Sequence, residues 1–83
     1  MAVFQLHRSG LEIDDAVLAV AEGHWKKVVM IIVKAAERLG PALPEGDAGY
    51  NMVGARIAAL VEAGRLDSQG DVSRWRHSEV RLP

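Results

Sequence analysis

Apolar residues in the second half of the chain change their spacing at a glycine. The first group, spaced as on one face of a helix, consists of Tyr50, Val53, Ile57, Leu60 and Val61. This spacing predicts a helix, and Gly64 is suited to end it because glycine readily adopts the left-handed conformation found at helix ends. Farther on, Val80 and Leu82 alternate with charged residues, beyond a polar turn at Gly70 and Asp71. We therefore predict a helix followed by a β-hairpin.

A longer helix is predicted over residues 24–39. Its inward face would carry Trp25, Val28, Val29, Ile32, Ala36 and Leu39. The β-branched run at residues 28–33 would also suit a strand, but the whole segment is too long for a typical strand and contains no turn signal. Gly40 and Pro41 would end the helix.

The first helix is predicted to begin at Asp14 and to end at Gly23. An aspartate before a helix accepts a backbone N–H of the first turn, and Ile13 and Leu18 have the spacing of a hydrophobic staple. The inward face would carry Val17, Leu18 and Ala21. Asp14 and Asp15 could also form a catalytic carboxylate pair, but no third catalytic group accompanies them, so we favour the cap.

Two stretches outside the helices are less regular. Residues 2–8 mix apolar and polar positions imperfectly, and we favour an edge strand paired with the hairpin over a loose leader. Residues 41–46 connect the second and third helices, and Asp47 is placed to cap the third. Pro41 and Pro44 could form a proline-rich ligand motif, but one such pair is a weak signal, and we favour a linker.

Residues 55–66, with the sequence Ala-Arg-Ile-Ala-Ala-Leu-Val-Glu-Ala-Gly-Arg-Leu, resemble the helix-to-wing passage of winged helix-turn-helix proteins. With residues 25–28 and 78–82 included, the chain also resembles a small uncharacterised bacterial family catalogued as a domain of unknown function, which implies no activity. We therefore predict an α+β fold, a single three-helix winged helix-turn-helix-like domain over residues 1–83 with a C-terminal hairpin as its wing. Resemblance to winged-helix proteins implies DNA binding in many cases and protein contact or dimerisation in others.

Composition narrows the classes of function. With 83 residues, of which 49% are apolar and 25% charged, the chain is expected to form one small globular domain. The absence of cysteine excludes disulfides, thiolate metal ligands and cysteine nucleophiles, and it suits a reducing cytoplasm. The most apolar run, residues 28–33, is far shorter than the ~20 residues that cross a bilayer, so we expect no membrane partner and a cytoplasmic location.

Basic residues suggest a nucleic-acid surface in two places, although the net charge of the chain is −1. A stripe on the second helix consists of Lys27, Lys34 and Arg38. It could contact phosphates or be a solvated face. The hairpin tip consists of Arg74, Trp75, Arg76 and His77. There the tryptophan could stack on a base while the arginines hold phosphates, although we favour a structural role for Trp75 as a lid on the core.

The outer face of the third helix carries small and apolar residues. It consists of Asn51, Met52, Ala55, Ala58, Ala59 and Glu62, with Arg56 at its margin. Because phosphate and guanine contacts need Arg or Lys, we favour contact with a protein partner or a second copy. The predicted contact residues are Asn51, Met52, Ala55, Ala59 and Glu62. Alternatively, the alanines only favour the helix. Gly54, on the core side, would let another helix approach closely.

No catalytic or cofactor motif is visible. His7, His24 and His77 lie in separate predicted elements, so a metal site is not expected. No nucleophile elbow, phosphate-binding glycine loop or dinucleotide fingerprint occurs. We therefore predict a non-catalytic binding module without cofactor or metal, acting through protein contact or self-association, with nucleic-acid binding as the alternative.

Overall fold

Three helices and a three-stranded antiparallel sheet form the computed structural model, which describes residues 2–83 and, from Gly10 onward, their side chains. The elements in chain order are α1 (Ala2–Val20), β1 (Lys26–Lys27), α2 (Val28–Leu39), a 3-10 turn (Gly40–Ala42), α3 (Asp47–Glu62), β2 (Asp67–Gln69) and β3 (Glu79–Arg81). The predicted α+β class is confirmed, and the helices and the sheet have a winged-helix-like arrangement.

The hairpin of β2 and β3 takes its third strand from the segment before α2. The strand order is β1-β3-β2, and Lys26 of β1 lies opposite Val80 of β3. The backbone N–H of Leu82 extends this pairing by donating to the carbonyl of Glu22 at 2.8 Å. The prediction of an edge strand over residues 2–8 is therefore wrong, because β1 occupies that edge and residues 2–8 belong to α1.

Gly10 does not interrupt α1. A glycine inside a helix costs only about 1 kcal/mol relative to alanine, and Gly10 has no positive φ. α1 therefore runs on past the position predicted for its first turn. The predicted cap at Asp14 is wrong because Asp14 lies inside the helix, and α1 ends at Val20 rather than at Gly23.

The beginning of α2 also differs from the prediction. Lys26 and Lys27 pair with β3, so the helix begins at Val28 rather than at residue 24. Trp25 consequently lies before β1 and not on a helix face. Its half-buried ring is covered by the guanidinium of Arg81, whose central carbon lies 4.4 Å from the ring centroid.

Glycines follow α2 and α3 as predicted. Gly40 and Gly64 have φ values of 53° and 76°, which side chains other than glycine rarely adopt. The predicted cap of α3 is wrong, because Gly46 holds the cap position and Asp47 is the first helical residue.

One cluster of buried apolar residues joins the helices to the sheet. It consists of Ile13, Ala16, Val17, Ala21, Val28, Ile31, Ile32, Ala35, Val53, Ile57, Leu60, Leu66 and Val80. α2 thus buries Ile31 and Ala35 in addition to the predicted Val28 and Ile32. The prediction that Tyr50 belongs to the core face of α3 is wrong, because the residue is 38% exposed. Within the described part of the chain, no helix has the length and apolar character needed to cross a membrane.

Candidate functional site

The loop between β2 and β3, residues 70–78, which we call the wing loop, folds back onto the start of α2. The backbone N–H groups of Val28 and Val29 donate to the carbonyls of Ser78 and Trp75, each at 3.0 Å. N–H groups in the first turn of a helix have no partner within the helix, and the side chain of the N-cap residue, Lys27, makes no capping hydrogen bond. The wing loop therefore caps α2, and α2 in turn holds the wing loop in place.

Two side chains fix the wing loop internally. The buried hydroxyl of Ser78 donates to the carbonyl of Arg74 at 2.8 Å. Asp71 Oδ1 accepts from the hydroxyl of Ser73 at 2.7 Å and from its backbone N–H at 2.9 Å. These two bonds, the hydroxyl bond first, hold the pKa of Asp71 below its ordinary value, because they favour the charged carboxylate. The wing loop is therefore a defined surface with its own hydrogen-bond network.

The indole of Trp75 contacts α3 at Gly54. A Cβ atom at Gly54 would lie 2.8 Å from Cζ2 of the indole, closer than two carbon atoms pack without repulsion. The space that the glycine leaves is thus filled by a ring of the wing loop, and the prediction that another helix approaches there is wrong. Trp75 also packs against the core cluster, as its predicted role as a lid requires.

The wing loop and the outer face of α3 enclose a shallow groove. Its lining consists of Asn51, Gly54, Ala55, Ala58, Asp71, Val72, Ser73 and Trp75. Of the residues predicted for a protein interface, Asn51, Met52, Ala55 and Glu62 are exposed and Ala59 is half-buried. Met52, with 40% exposure, is the largest apolar side chain on this face. The structure therefore joins part of the predicted face to a loop that the sequence did not assign to it.

Arg56, the only Lys or Arg in α3, is bound by Asp14 of α1. Its Nε and Nη2 donate to the two carboxylate oxygens of Asp14 at 2.8 and 2.9 Å. The hydrogen bond to Asp14 raises the pKa of Arg56, because it favours the charged guanidinium. The sequence analysis missed this pair, because the two residues lie 42 positions apart in the chain.

The basic stripe predicted on α2 is divided between two surroundings. Lys27 Nζ donates to the carbonyl of Arg76 at 3.2 Å, so this lysine joins the hairpin tip. The charge of Lys34 helps to lower the pKa of Glu22, although the main cause is a hydrogen bond from Lys26. Arg38 lines a depression that it shares with two acidic residues of α1, Glu12 and Asp15. The structure therefore separates Lys34 and Arg38 from the tip.

The tip keeps a local excess of positive charge. Arg74, Arg76 and His77 are exposed, and none of them forms an ion pair within the described residues. Together with Trp75 and Ser73 they line a second shallow depression. With Lys27, this cluster is the nucleic-acid candidate that the structure brings together.

The remaining histidines are His24 and His7. His24 Nε2 lies 2.8 Å from a carboxylate oxygen of Glu22 at an exposed position, and the side chain of His7 lies outside the described residues. From Gly10 onward, no three His, Asp or Glu residues come together in a way that could hold a metal ion.

Comparisons with protein-family models, with curated proteins and with solved structures gave no match to this chain. The resemblance to winged helix-turn-helix proteins is therefore supported by the fold alone. The resemblance to an uncharacterised bacterial family stays a prediction.

Proposed function

We propose that this protein is a non-catalytic binding module that contacts another protein, or a second copy of itself, through the outer face of α3 and the adjoining side of the wing loop. The exposed side chain of Met52 favours this role, because methionine is enriched at protein interfaces.

The observation that carries this proposal is the commitment of Arg56 to Asp14. The helix in the position of a recognition helix offers one guanidinium, and both of its bonds go to a carboxylate of the same chain. Phosphate contacts and guanine recognition both depend on available Arg or Lys. The outer face of α3 therefore supports contact with protein better than contact with DNA.

Photo-crosslinking in the cell tests the proposal directly. A benzoylphenylalanine at position 52 should give discrete adducts with a partner or with a second copy, and the same group at Ala19, an exposed alanine of α1, should not. Sedimentation from micromolar to millimolar concentration then identifies self-association. Ala55→Arg should abolish the adducts, because the new charge enters the groove. Adducts that are the same from both positions, or none from position 52, would contradict the proposal.

A second candidate, nucleic-acid binding, is favoured by the contact of Lys27 with the wing loop. This contact adds a fourth basic side chain to Arg74, Arg76 and His77 around a partly exposed tryptophan, an arrangement suited to holding phosphates and stacking a base. Binding of single-stranded or duplex oligonucleotides should then weaken steeply with added salt.

Two lysines of the predicted stripe provide matched variants for this candidate. Lys27→Gln should weaken oligonucleotide binding and lower its salt dependence, whereas Lys34→Gln should not, because only Lys27 lies at the tip. Equal effects of the two substitutions, or binding that is insensitive to salt, would exclude the tip as the site.

We also propose a cytoplasmic location. The lack of cysteine supports it, since such a chain gains nothing from an oxidising compartment. Localisation of a tagged chain by fractionation tests it.

A further inference from the structure

A pocket of about 410 Å³ lies where the C-terminal end of α2 meets the N-terminal end of α3. We call it the helix-junction pocket. Half-buried Val33, Ala36 and Leu43 line its apolar part, and exposed Glu37, Glu45 and Tyr50 line its polar part. It lies away from the wing loop and shares no residue with the groove on α3.

The backbone around this pocket is held in shape. A Cβ atom at Gly49 would overlap the carbonyl oxygen of Pro44, so the 41–46 connection packs directly on α3. The N–H of Leu43 donates to the carbonyl of Gly40 at 3.1 Å, and Gly46 has a φ of 71°. A pocket that is formed before a ligand arrives loses less entropy on binding.

The charge of the pocket is uncompensated. Glu37 and Glu45 form no ion pair within the described residues, and the lining contains no Lys or Arg. Arg38 offsets the negative end of α2 and Asp47 offsets the positive end of α3, so the charge of the pocket comes from its two carboxylates. Tyr50 presents a partly exposed ring, whose face attracts cations. The pocket thus combines an apolar surface, an aromatic ring and two free carboxylates.

We propose that the helix-junction pocket receives an arginine side chain from a basic segment of a partner protein. The alkyl stem lies on Val33 and Leu43, and the guanidinium lies between the two carboxylates, against the ring of Tyr50. Arginine fits better than lysine because its planar group can bond carboxylates and stack on a ring at once. The pocket is open on one side, so a free guanidinium stays hydrated and neighbouring residues of a chain are needed to hold it. This inference does not depend on the proposed role of the α3 face.

Titration of the intact ¹⁵N-labelled chain with a blocked peptide, acetyl-Gly-Leu-Arg-Leu-Gly-amide, tests the inference. The amide signals of Glu37, Gly46 and Tyr50 should shift and saturate. The same peptide with citrulline in place of arginine has nearly the same shape without the charge, and it should bind at least about tenfold more weakly, because charged hydrogen bonds are the stronger ones. Equal binding of the two peptides would overturn the inference.

Variants test whether the peptide binds this pocket or any acidic part of the surface. The double substitution Glu37→Gln with Glu45→Gln should abolish the shifts while the circular dichroism spectrum stays unchanged, and Asp15→Asn, an exposed carboxylate of α1 outside the pocket lining, should leave binding intact. Binding that survives the double substitution, or acetyl-arginine-amide binding as tightly as the peptide, would overturn the assignment to a protein segment. Crosslinking from position 52 is independent of this result, so the two proposals can fail separately.

Discussion

The carboxylate of Asp14 has a partner that no local sequence pattern indicates. Asp14 has the residue type and the neighbours of a helix cap, yet it lies within α1 and binds a guanidinium 42 positions later in the chain. Only 7% of the residue is exposed, and a carboxylate removed from water requires such a partner. Its role follows from the packing of α1 against α3, which the sequence of either helix alone does not contain.

Substitutions in this pair should have unequal effects on stability. Arg56→Met should lower the free energy of unfolding by about 2 to 3 kcal/mol, because it leaves the buried Asp14 carboxylate unpaired. Asp14→Ala should cost less, because the side chain of Arg56 is 40% exposed and can turn to water. Urea unfolding measures both changes.

Asp15→Ala serves as the matched control for this pair, since Asp15 is the exposed neighbour on the same helix. It should change the free energy of unfolding by less than about 0.5 kcal/mol. If all three substitutions lowered the free energy of unfolding equally, the ion pair between Asp14 and Arg56 would contribute nothing specific to stability.

At the scale of elements, the sequence predicts helix ends best at the glycines and the proline that follow α2 and α3. The ends of α2 and α3 and the hairpin after Gly64 are confirmed, because these signals act within a few residues. β1 could not be predicted, since Lys26 and Lys27 show no apolar alternation and become a strand only because β3 offers a free edge.

The candidate surface on α3 is also predictable only in part. The outer face of α3 could be predicted from helical spacing, whereas its groove depends on a loop that returns from residues 71–75.

The contact between the wing loop and α3 can be tested at Gly54. Gly54→Ala should displace the indole of Trp75, because the new Cβ would lie 2.8 Å from Cζ2. We expect the indole N–H signal to shift and to exchange with solvent faster. The free energy of unfolding should change little, since alanine favours a helix by about 1 kcal/mol over glycine and offsets the lost contact.

Gly10→Ala provides the comparison for this substitution, because its Cβ would meet no neighbouring atom within 4 Å. It should stabilise the chain by up to about 1 kcal/mol and leave the signal of Trp75 unchanged. An unmoved indole signal in Gly54→Ala would contradict the described packing.

In the molecule as a whole, a net charge near zero conceals surfaces of different sign. The hairpin tip is basic, the helix-junction pocket is acidic, and the depression that Arg38 shares with α1 mixes both signs. Adding up the charges along the chain could not reveal this distribution, because the fold brings residues that are far apart in sequence onto one surface. Lys27 at the tip and Glu45 in the pocket are assigned to their surfaces only by the fold.

Acid should destabilise the folded chain through two exposed carboxylates. Hydrogen bonds lower the pKa of Asp71, from Ser73, and of Glu22, from Lys26. Each group therefore stabilises the fold above its ordinary pKa, and this contribution is lost as the pH falls through the lowered pKa of the folded state. The melting temperature should fall between about pH 5 and pH 3.

The substitution Asp71→Asn isolates the contribution of Asp71 to this loss of stability in acid. Asp71→Asn should have a lower melting temperature than the wild type near neutral pH, and the difference should shrink in acid. A difference between Asp71→Asn and wild type that is constant with pH would contradict the assigned cause.

The carbonyls that cap α2 belong to Trp75 and Ser78, far along the chain from Val28. During synthesis on a ribosome, the first turn of the middle helix therefore stays unsatisfied until residues 75–78 have been made and can fold back onto it. A nascent product stopped before residue 75 would have a frayed first turn in α2.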